Sequence, residues 1–168
     1  MFPLVLVAIA FVPMLAESAR SSSNERRLRA AGAVEPADDV FGAMRLVYPA
    51  CFVAMIIEAW VRRRGMTGVA AAGLVIFALA KSLKYWVIYT LGERWTFRVL
   101  VPPGSQRTLS GPYRFLRHPN YLAVIGELGG FALTAGAWSS GIASLLAFGA
   151  LLRARIRIEE RALGLRSR

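Results

Sequence analysis

The densest group of reactive side chains is an eleven-residue string, Gly111-Pro-Tyr-Arg-Phe-Leu-Arg-His-Pro-Asn-Tyr121. It contains the single histidine of the chain, His118, between Arg117 and Pro119. Proline suits the first turn of a helix, where its missing N–H would be unpaired anyway, and the free N–H groups of that turn attract anions. The string therefore predicts an anion-binding site at the start of a helix. The alternative is an interfacial anchor, with arginines on headgroups and tyrosines in the aromatic belt.

A second string, Arg153-Ala-Arg-Ile-Arg-Ile-Glu-Glu-Arg-Ala-Leu163, follows the last apolar block. Arg155 and Glu159 are four residues apart and Arg157 and Glu160 are three apart, so each acid is predicted to pair with an arginine along a helix. The pattern also fits a salt-bridged helix beside the membrane that carries no ligand.

Glu127, Lys81 and Lys84 are charged residues inside apolar blocks. Glu127 lies six residues after Tyr121, and Asn120, seven residues before Glu127, shares its helical face. A carboxylate at membrane depth is costly unless it is solvated, paired or protonated, so Glu127 is predicted to lie inside the bundle and to face a cavity shared with the Arg-His-Pro string. Lys81 and Lys84 either reach the headgroups or pair with Glu127; in the second case Glu127 only joins two helices.

The elements that must position these residues are membrane helices. Of the 168 residues 56% are hydrophobic, and the 25 positions from 128 to 152 carry no charge. Because about 20 apolar residues cross the hydrocarbon, the chain is predicted to be an all-α integral membrane helical bundle of about five transmembrane helices. The basic residues that give the net charge of +11 cluster at the ends of apolar blocks. This placement fits contact with anionic lipid headgroups and excludes nucleic acid as a partner. Cys51 is the only cysteine, so neither a disulfide nor a cysteine zinc cluster is expected.

The predicted organisation is one structural domain in two parts. Residues 1–91 hold three transmembrane helices with connectors, and residues 92–168 hold a cofactor-binding segment, a helical hairpin and a cytoplasmic C-terminal helix. The 32 residues from 121 to 152 would form a helix of about 48 Å, too long for a hydrocarbon layer of about 30 Å, so a hairpin is predicted. The predicted segments are a span over 2–16 with a kink at Pro13, a polar connector over 17–39, spans over 40–60 and 67–91, an irregular interfacial segment over 92–119, and a hairpin turn over 136–141.

The distribution of basic residues predicts the orientation. With the N-terminus outside, fifteen of the 21 lysines and arginines lie on the inner side, in the first connector, the 92–119 segment and the C-terminal tail. Only Arg62, Arg63 and Arg64, in a predicted tight turn ending at Gly65, lie outside. The positive-inside rule therefore predicts an inner-membrane protein with a cytoplasmic C-terminus.

The two strings together resemble the isoprenylcysteine carboxyl methyltransferase family and related phospholipid methyltransferases. The residues that carry the resemblance are Gly-Pro-Tyr-x-x-x-Arg-His-Pro-x-Tyr, a glycine-rich hairpin and Arg-x-x-x-Glu-Glu-x-x-Leu, between Leu91 and Leu163. The resemblance implies S-adenosylmethionine as cofactor, bound on the cytosolic side, and a lipophilic acceptor that enters from the bilayer and is methylated on an oxygen.

The resemblance also implies roles for individual residues. Glu127, Arg117 and Arg157 are the candidates for acceptor chemistry: a carboxylate acceptor needs no base, whereas a phenol or enol acceptor would use Glu127 as base. The cofactor-binding candidates are Tyr113, His118, Pro119, Asn120, Tyr121, Arg155, Glu159 and Glu160.

A narrower resemblance joins the chain to bacterial members associated with polyketide-derived lipids. It lies in Lys84-Tyr-Trp86, in the stretch from Gly92 to Arg98 and in Pro103-Gly104, together with Asn120 and Glu127. The chain departs from the family in ending at Arg168, without the tyrosine-containing tail that usually follows the Glu-Glu motif. Arg-His-Pro-Asn-Tyr also occurs in membrane sterol reductases that use NADPH, so a reductase and a non-catalytic lipid-binding protein remain the alternatives. The acceptor's identity and the oligomeric state are left open.

Overall fold

The computed structural model describes residues 2–37, 39–63, 67–104 and 108–162. The described chain is helical apart from its connectors, which confirms the all-α prediction. The predictions that concern Arg64, Gly65, Arg107 and all residues from Leu163 onward fall outside the described residues. The helices are α1 (Phe2–Ala30), α2 (Phe41–Val61), α3 (Gly68–Leu91), α4 (Pro119–Ala135) and α5 (Trp138–Ala162), with short 3-10 turns at Gly92–Arg94 and Gly111–Arg114.

Three helices are long and apolar enough to cross a membrane: Pro3–Ala30, Phe41–Val61 and Gly68–Arg94. Their outward side chains include large exposed apolar groups such as Leu15, Trp60 and Leu79, as lipid contact requires. The protein is an integral membrane protein. Helix α4 has 17 residues, about 25 Å, and forms the predicted C-terminal hairpin with α5. The count of five spans stays a prediction.

Helix α1 is longer than predicted. The stretch from Glu17 was expected to be a polar connector, but the helix continues to Ala30. Its polar residues Glu17, Ser21 and Asn24 follow the i, i+4, i+7 pattern of one helical face, and all three are buried against the rest of the protein. Ser21 Oγ accepts a hydrogen bond of 2.8 Å from Phe97 N, and Asn24 Nδ2 donates one of 2.8 Å to Trp95 O. The polar face therefore meets polar partners, which is why the helix does not end where its apolar run ends.

Helices α3 and α4 pack closely because small residues line their contact. A Cβ added at Gly130 would lie 2.5 Å from Phe77 N, and one added at Gly73 would lie 2.5 Å from Thr134 N. One added at Gly126, a turn before Gly130, would lie 2.8 Å from the Ala80 side chain. This close approach fixes the depth of α4 against α3.

The hairpin turn is shorter than predicted, because α5 begins at Trp138 rather than after residue 141. Gly136 ends α4 in the left-handed region, with φ of +61°, and Ala137 N donates to Ala132 O. Glu58 of α2 accepts hydrogen bonds from Ser139 N and Ser140 N at the start of α5. This carboxylate satisfies free N–H groups of the helix start, so α2 fixes one end of the hairpin.

Candidate functional site

The two strings identified in the sequence meet at the end of the bundle opposite the hairpin turn. His118 Nε2 lies 3.3 Å from Glu160 Oε1, and the Tyr121 hydroxyl donates a hydrogen bond to Glu159. The rings of His118 and Tyr121 stack with centroids 5.6 Å apart. The predicted pairing of Glu159 and Glu160 with arginines of their own helix is therefore wrong. Both acids face the start of α4, which brings the Arg-His-Pro string within reach of their carboxylates.

Arg155 is directed away from Glu159 toward a buried junction. Its Nη1 lies 2.7 Å from Asp39 Oδ1, and both side chains are almost fully buried. Asp39 also accepts hydrogen bonds from Phe41 N and Val99 N, at 3.1 and 3.2 Å. The pair thereby connects α5, the start of α2 and the segment after α3. Arg155 Nε is buried without a hydrogen-bond partner among the described residues.

The irregular stretch from 92 to 104 covers this end of the bundle. Trp95 is 2% exposed, and its Nε1 donates to Asn120 Oδ1 at 3.4 Å, which orients the amide of Asn120. Val34 and Val101 form an isolated antiparallel bridge that attaches the stretch to the first connector. The stretch is irregular, as predicted, but its position is fixed by specific bonds.

Arg98 carries the main electrostatic contact of this surface. Its guanidinium bonds Glu35, lies 3.3 Å from Glu25, and stacks 4.3 Å above the Phe41 ring. Partial burial raises the pKa of the Glu35 carboxyl, but hydrogen bonds from Arg98 and Arg29 outweigh it, so the pKa falls below its usual 4.5. The carboxylate is therefore kept ionised, and the first connector stays attached to the 92–104 stretch.

A cavity of about 440 Å³ opens beneath this stretch, within the range of small-molecule sites. Of the predicted cofactor-binding residues, six line it: Tyr113, His118, Asn120, Tyr121, Arg155 and Glu159. Pro119 is buried at the first turn of α4, and Glu160 stands behind His118. Arg117 and Arg157 are exposed and do not line the cavity, so the structure does not bring these two predicted residues to it.

Glu127 lies inside the bundle with no exposed surface, as predicted. Its carboxylate lies 2.9 Å from Lys84 Nζ and 3.2 Å from Lys81 Nζ, and it accepts a hydrogen bond from the Tyr48 hydroxyl. Lys81 and Lys84 also pair with Glu17, at 2.7 and 3.1 Å respectively. The alternative in which they reach the headgroups is wrong, because two buried carboxylates hold them.

Access to Glu127 from the cavity is indirect. Tyr48 and Lys84 line the cavity wall, whereas Glu127 stands behind them and does not, so the prediction that Glu127 faces the cavity is wrong. Glu127 thus has the pairing role that the sequence left as an alternative. Glu127 is nevertheless connected to the cavity through a single hydrogen bond, the one that it accepts from the cavity-lining Tyr48.

Sequence reasoning missed three of these residues. Glu17 and Asp39 were assigned to a connector, although the spacing of Glu17, Ser21 and Asn24 on one helical face was a usable signal of burial. Tyr48 gave no signal, since a tyrosine in an apolar helix is commonly an interfacial anchor. Only the packing of α2 against α4 gives its hydroxyl a carboxylate partner.

Comparison with known proteins identifies the family of the chain. The sequence model of the isoprenylcysteine carboxyl methyltransferase family matches residues 71–164, more than half of the chain. The chain belongs to this family, and it is a membrane protein of the methyltransferase class.

Two curated relatives extend the match toward the N-terminus. One is "Uncharacterized protein YpbQ" of Bacillus subtilis (strain 168), 29% identical over 163 residues, which cover 95% of each chain. The other, from Haemophilus influenzae, bears the name "Uncharacterized protein" and is 31% identical over 144 residues, 85% of this chain and 84% of the relative. No solved structure matches the chain significantly. Neither name mentions a substrate, so the narrower resemblance to polyketide-lipid members has no support from them.

Proposed function

We propose that this protein transfers a methyl group from S-adenosylmethionine to an oxygen of a lipophilic acceptor held within the membrane. The observation that carries the proposal is the convergence of the two family motifs on one cavity. His118 meets Glu160 and Tyr121 meets Glu159 where α4 begins and α5 approaches its end. An interfacial anchor would not require these four side chains to contact one another across 38 to 42 residues of sequence.

The cavity suits such a cofactor chemically. Glu159 offers a carboxylate to an ammonium group or to ribose hydroxyls, and Tyr113 and Tyr121 offer aromatic faces to a base or a sulfonium. Arg155 Nε, buried and unpartnered among the described residues, offers a donor to an oxygen. These residues, with His118 and Asn120, would hold the cofactor.

The remaining wall suits a lipophilic acceptor. Beyond the cofactor residues, the cavity extends between the helices and is lined there by apolar side chains: Met14, Met44, Pro49, Val124, Phe148 and Leu152. Methionine adapts to irregular apolar shapes, so the wall can accept an alkyl or isoprenoid chain. Side-chain burial around the reacting oxygen would also exclude water, which competes for an activated methyl group.

The bound cofactor would supply an electrophilic methyl on a sulfonium, and the chain's residues would position the acceptor oxygen toward it. If the acceptor is a carboxylate, its oxygen is already a nucleophile. If it is a phenol or enol, its proton must leave, and the Tyr48 hydroxyl bonded to Glu127 provides a route from the cavity to a buried carboxylate. We further propose that the cofactor end of the cavity faces the cytoplasm, because fifteen of the 21 lysines and arginines lie on that side of the predicted topology.

The test is calorimetry of the purified protein in detergent with S-adenosylhomocysteine and, separately, with NADPH. We expect binding of the first and not of the second; the reverse result would indicate a reductase, and binding of neither would favour a non-catalytic membrane protein. Transfer of labelled methyl would then be measured on two acceptor probes of different chemistry, N-acetyl-S-farnesylcysteine and 5-pentadecylresorcinol. Methylation of the first identifies a carboxylate acceptor, and methylation of the second identifies a phenol.

A further inference from the structure

Most charged side chains on the cavity wall have a polar or charged partner. Lys84 pairs with Glu17 and Glu127, at 3.1 and 2.9 Å. Glu25 and Glu35 flank Arg98, Asp39 holds Arg155, and Glu160 contacts His118. The acid Glu159 has the Tyr121 hydroxyl as its donor. Two cations on the wall have no such partner among the described residues: Arg45 and Arg94.

The two unpaired arginines lie in different surroundings. Arg94 belongs to the 3-10 turn beside Trp95, so it lies next to the cofactor residues. Arg45 belongs to α2, four residues after the first residue of that helix, about 6 Å along its axis. One turn further, Tyr48 directs its hydroxyl to Glu127, and its ring lies 5.0 Å from that of Phe148. Arg45 thus lies about one helical turn from Tyr48 and Pro49, which also line the cavity.

The backbone of α2 is also interrupted at this point. Pro49 lies inside the helix, and its ring nitrogen has no hydrogen to donate. The helical bond that would run from residue 49 to the carbonyl of Arg45 is therefore missing. Both residues line the cavity, so the charged side chain and the missing helical bond lie on the same wall. A proline inside a helix is a usual cause of a kink.

We propose that Arg45 binds the anionic head of the acceptor, with the apolar chain lying deeper, along Pro49 and Phe148. This inference rests on the proposed function and adds the residue that recognises the acceptor. Arg45 is exposed and lines the cavity, so its guanidinium is accessible and can bond a carboxylate or a phosphate through two parallel N–H groups. The same chemistry is present in phospholipid headgroups, which Arg45 could meet from outside the bundle.

The test compares two probes with the same chain, palmitate and its alcohol, hexadecanol, bound to the full-length protein in nonionic detergent at a pH that ionises the acid. We expect wild type to bind palmitate about two- to fivefold more tightly, the range for an exposed ion pair. Arg45→Met should reduce the affinity for palmitate to that for the alcohol and leave the alcohol's affinity unchanged. Arg45→Lys should keep part of the preference because it keeps the charge.

Matched variants control the interpretation. Arg20→Met removes an exposed arginine of α1 that does not line the cavity, and it should keep the full preference. Equal affinity of wild type for the two probes, or a preference that survives Arg45→Met or depends instead on Arg94, would overturn the proposal. A second experiment compares binding of the anionic lipid phosphatidylglycerol with binding of the zwitterionic lipid phosphatidylcholine, in wild type and in Arg45→Met. If Arg45→Met changes phosphatidylglycerol binding and not palmitate binding, Arg45 is a headgroup anchor and the proposal fails.

Binding of S-adenosylhomocysteine is measured on the same samples. It should be equal in wild type and Arg45→Met. If S-adenosylhomocysteine does not bind at all while the palmitate preference depends on Arg45, the proposed methyl transfer fails and the anion site stands. If S-adenosylhomocysteine binds and the palmitate preference is absent, the anion site fails and the proposed methyl transfer stands.

Discussion

Replacing Glu127 by glutamine tests the buried charge cluster most directly. In wild type two carboxylates, of Glu17 and Glu127, face two ammonium groups, of Lys81 and Lys84, so the cluster has no net charge. Glu127→Gln keeps the size of the side chain but leaves two cations with one acid. Because Glu127 has no exposed surface and Lys84 is 2% exposed, water cannot compensate for the missing charge.

The expected loss of stability is large. Removing one partner of a buried ion pair costs about 3–5 kcal/mol in the free energy of unfolding. At about 2–4 °C per kcal/mol for a domain of this size, the melting temperature should fall by about 6–20 °C. The double variant Lys84→Met with Glu127→Gln removes one charge of each sign and leaves the Lys81–Glu17 pair, 2.7 Å apart. It should therefore recover most of the loss.

The assay is thermal unfolding in detergent. It compares wild type with the single variants Glu127→Gln and Lys84→Met and with the double variant. The matched control is Glu93→Gln, which breaks the exposed pair with Arg27 and should cost no more than about 1 kcal/mol. Additive losses in the double variant would refute the reasoning, since a neutral cluster predicts strong coupling between the two sites. A fully stable Glu127→Gln protein would refute it too.

The same variant separates structural from chemical roles. If Glu127 accepts a proton through Tyr48, turnover per folded molecule should fall by about 10²–10⁴ with cofactor affinity unchanged. Tyr48→Phe should then show the same loss of turnover, while Tyr85→Phe, an exposed tyrosine of α3, should not. If turnover falls only with the folded fraction, Glu127 is a structural residue.

His118→Ala and Glu160→Gln should each weaken S-adenosylhomocysteine binding in calorimetry while the protein stays folded; wild-type affinity in both would remove the residue-level support for the cofactor site. Fusion reporters should place the C-terminus and the 92–119 segment in the cytoplasm, because fifteen basic residues lie on that side of the predicted topology; an external C-terminus would reverse the orientation. Since the folded pKa of Glu35 lies below its usual 4.5, its contribution to stability is complete above that value and is lost as the pH falls through the folded pKa. Arg98→Met should make the melting temperature less dependent on pH in the acid range. An unchanged loss of melting temperature at acid pH would show that another group controls it.

The sequence determined the architecture because each helix leaves a local signal. Apolar runs predicted the second and third spans within a few residues, and Gly136 with its neighbours predicted the hairpin. Pro119 at the start of α4 followed from its missing N–H alone. The ordered motifs also predicted that His118, Tyr121, Glu159 and Glu160 belong to one site.

The partners of charged side chains were decided only by the tertiary structure. A carboxylate takes the nearest cation in space, and pairs such as Lys84–Glu17 and Arg155–Asp39 join residues 67 and 116 positions apart. Local spacing predicted arginine partners for Glu159 and Glu160, but the contact of α5 with the start of α4 supplied Tyr121 and His118 instead. Likewise, the polar face of α1 looked like a connector until its buried partners were known. Membrane burial makes an unpaired charge costly, so the sequence could require a partner for Glu127, but only packing could select which one.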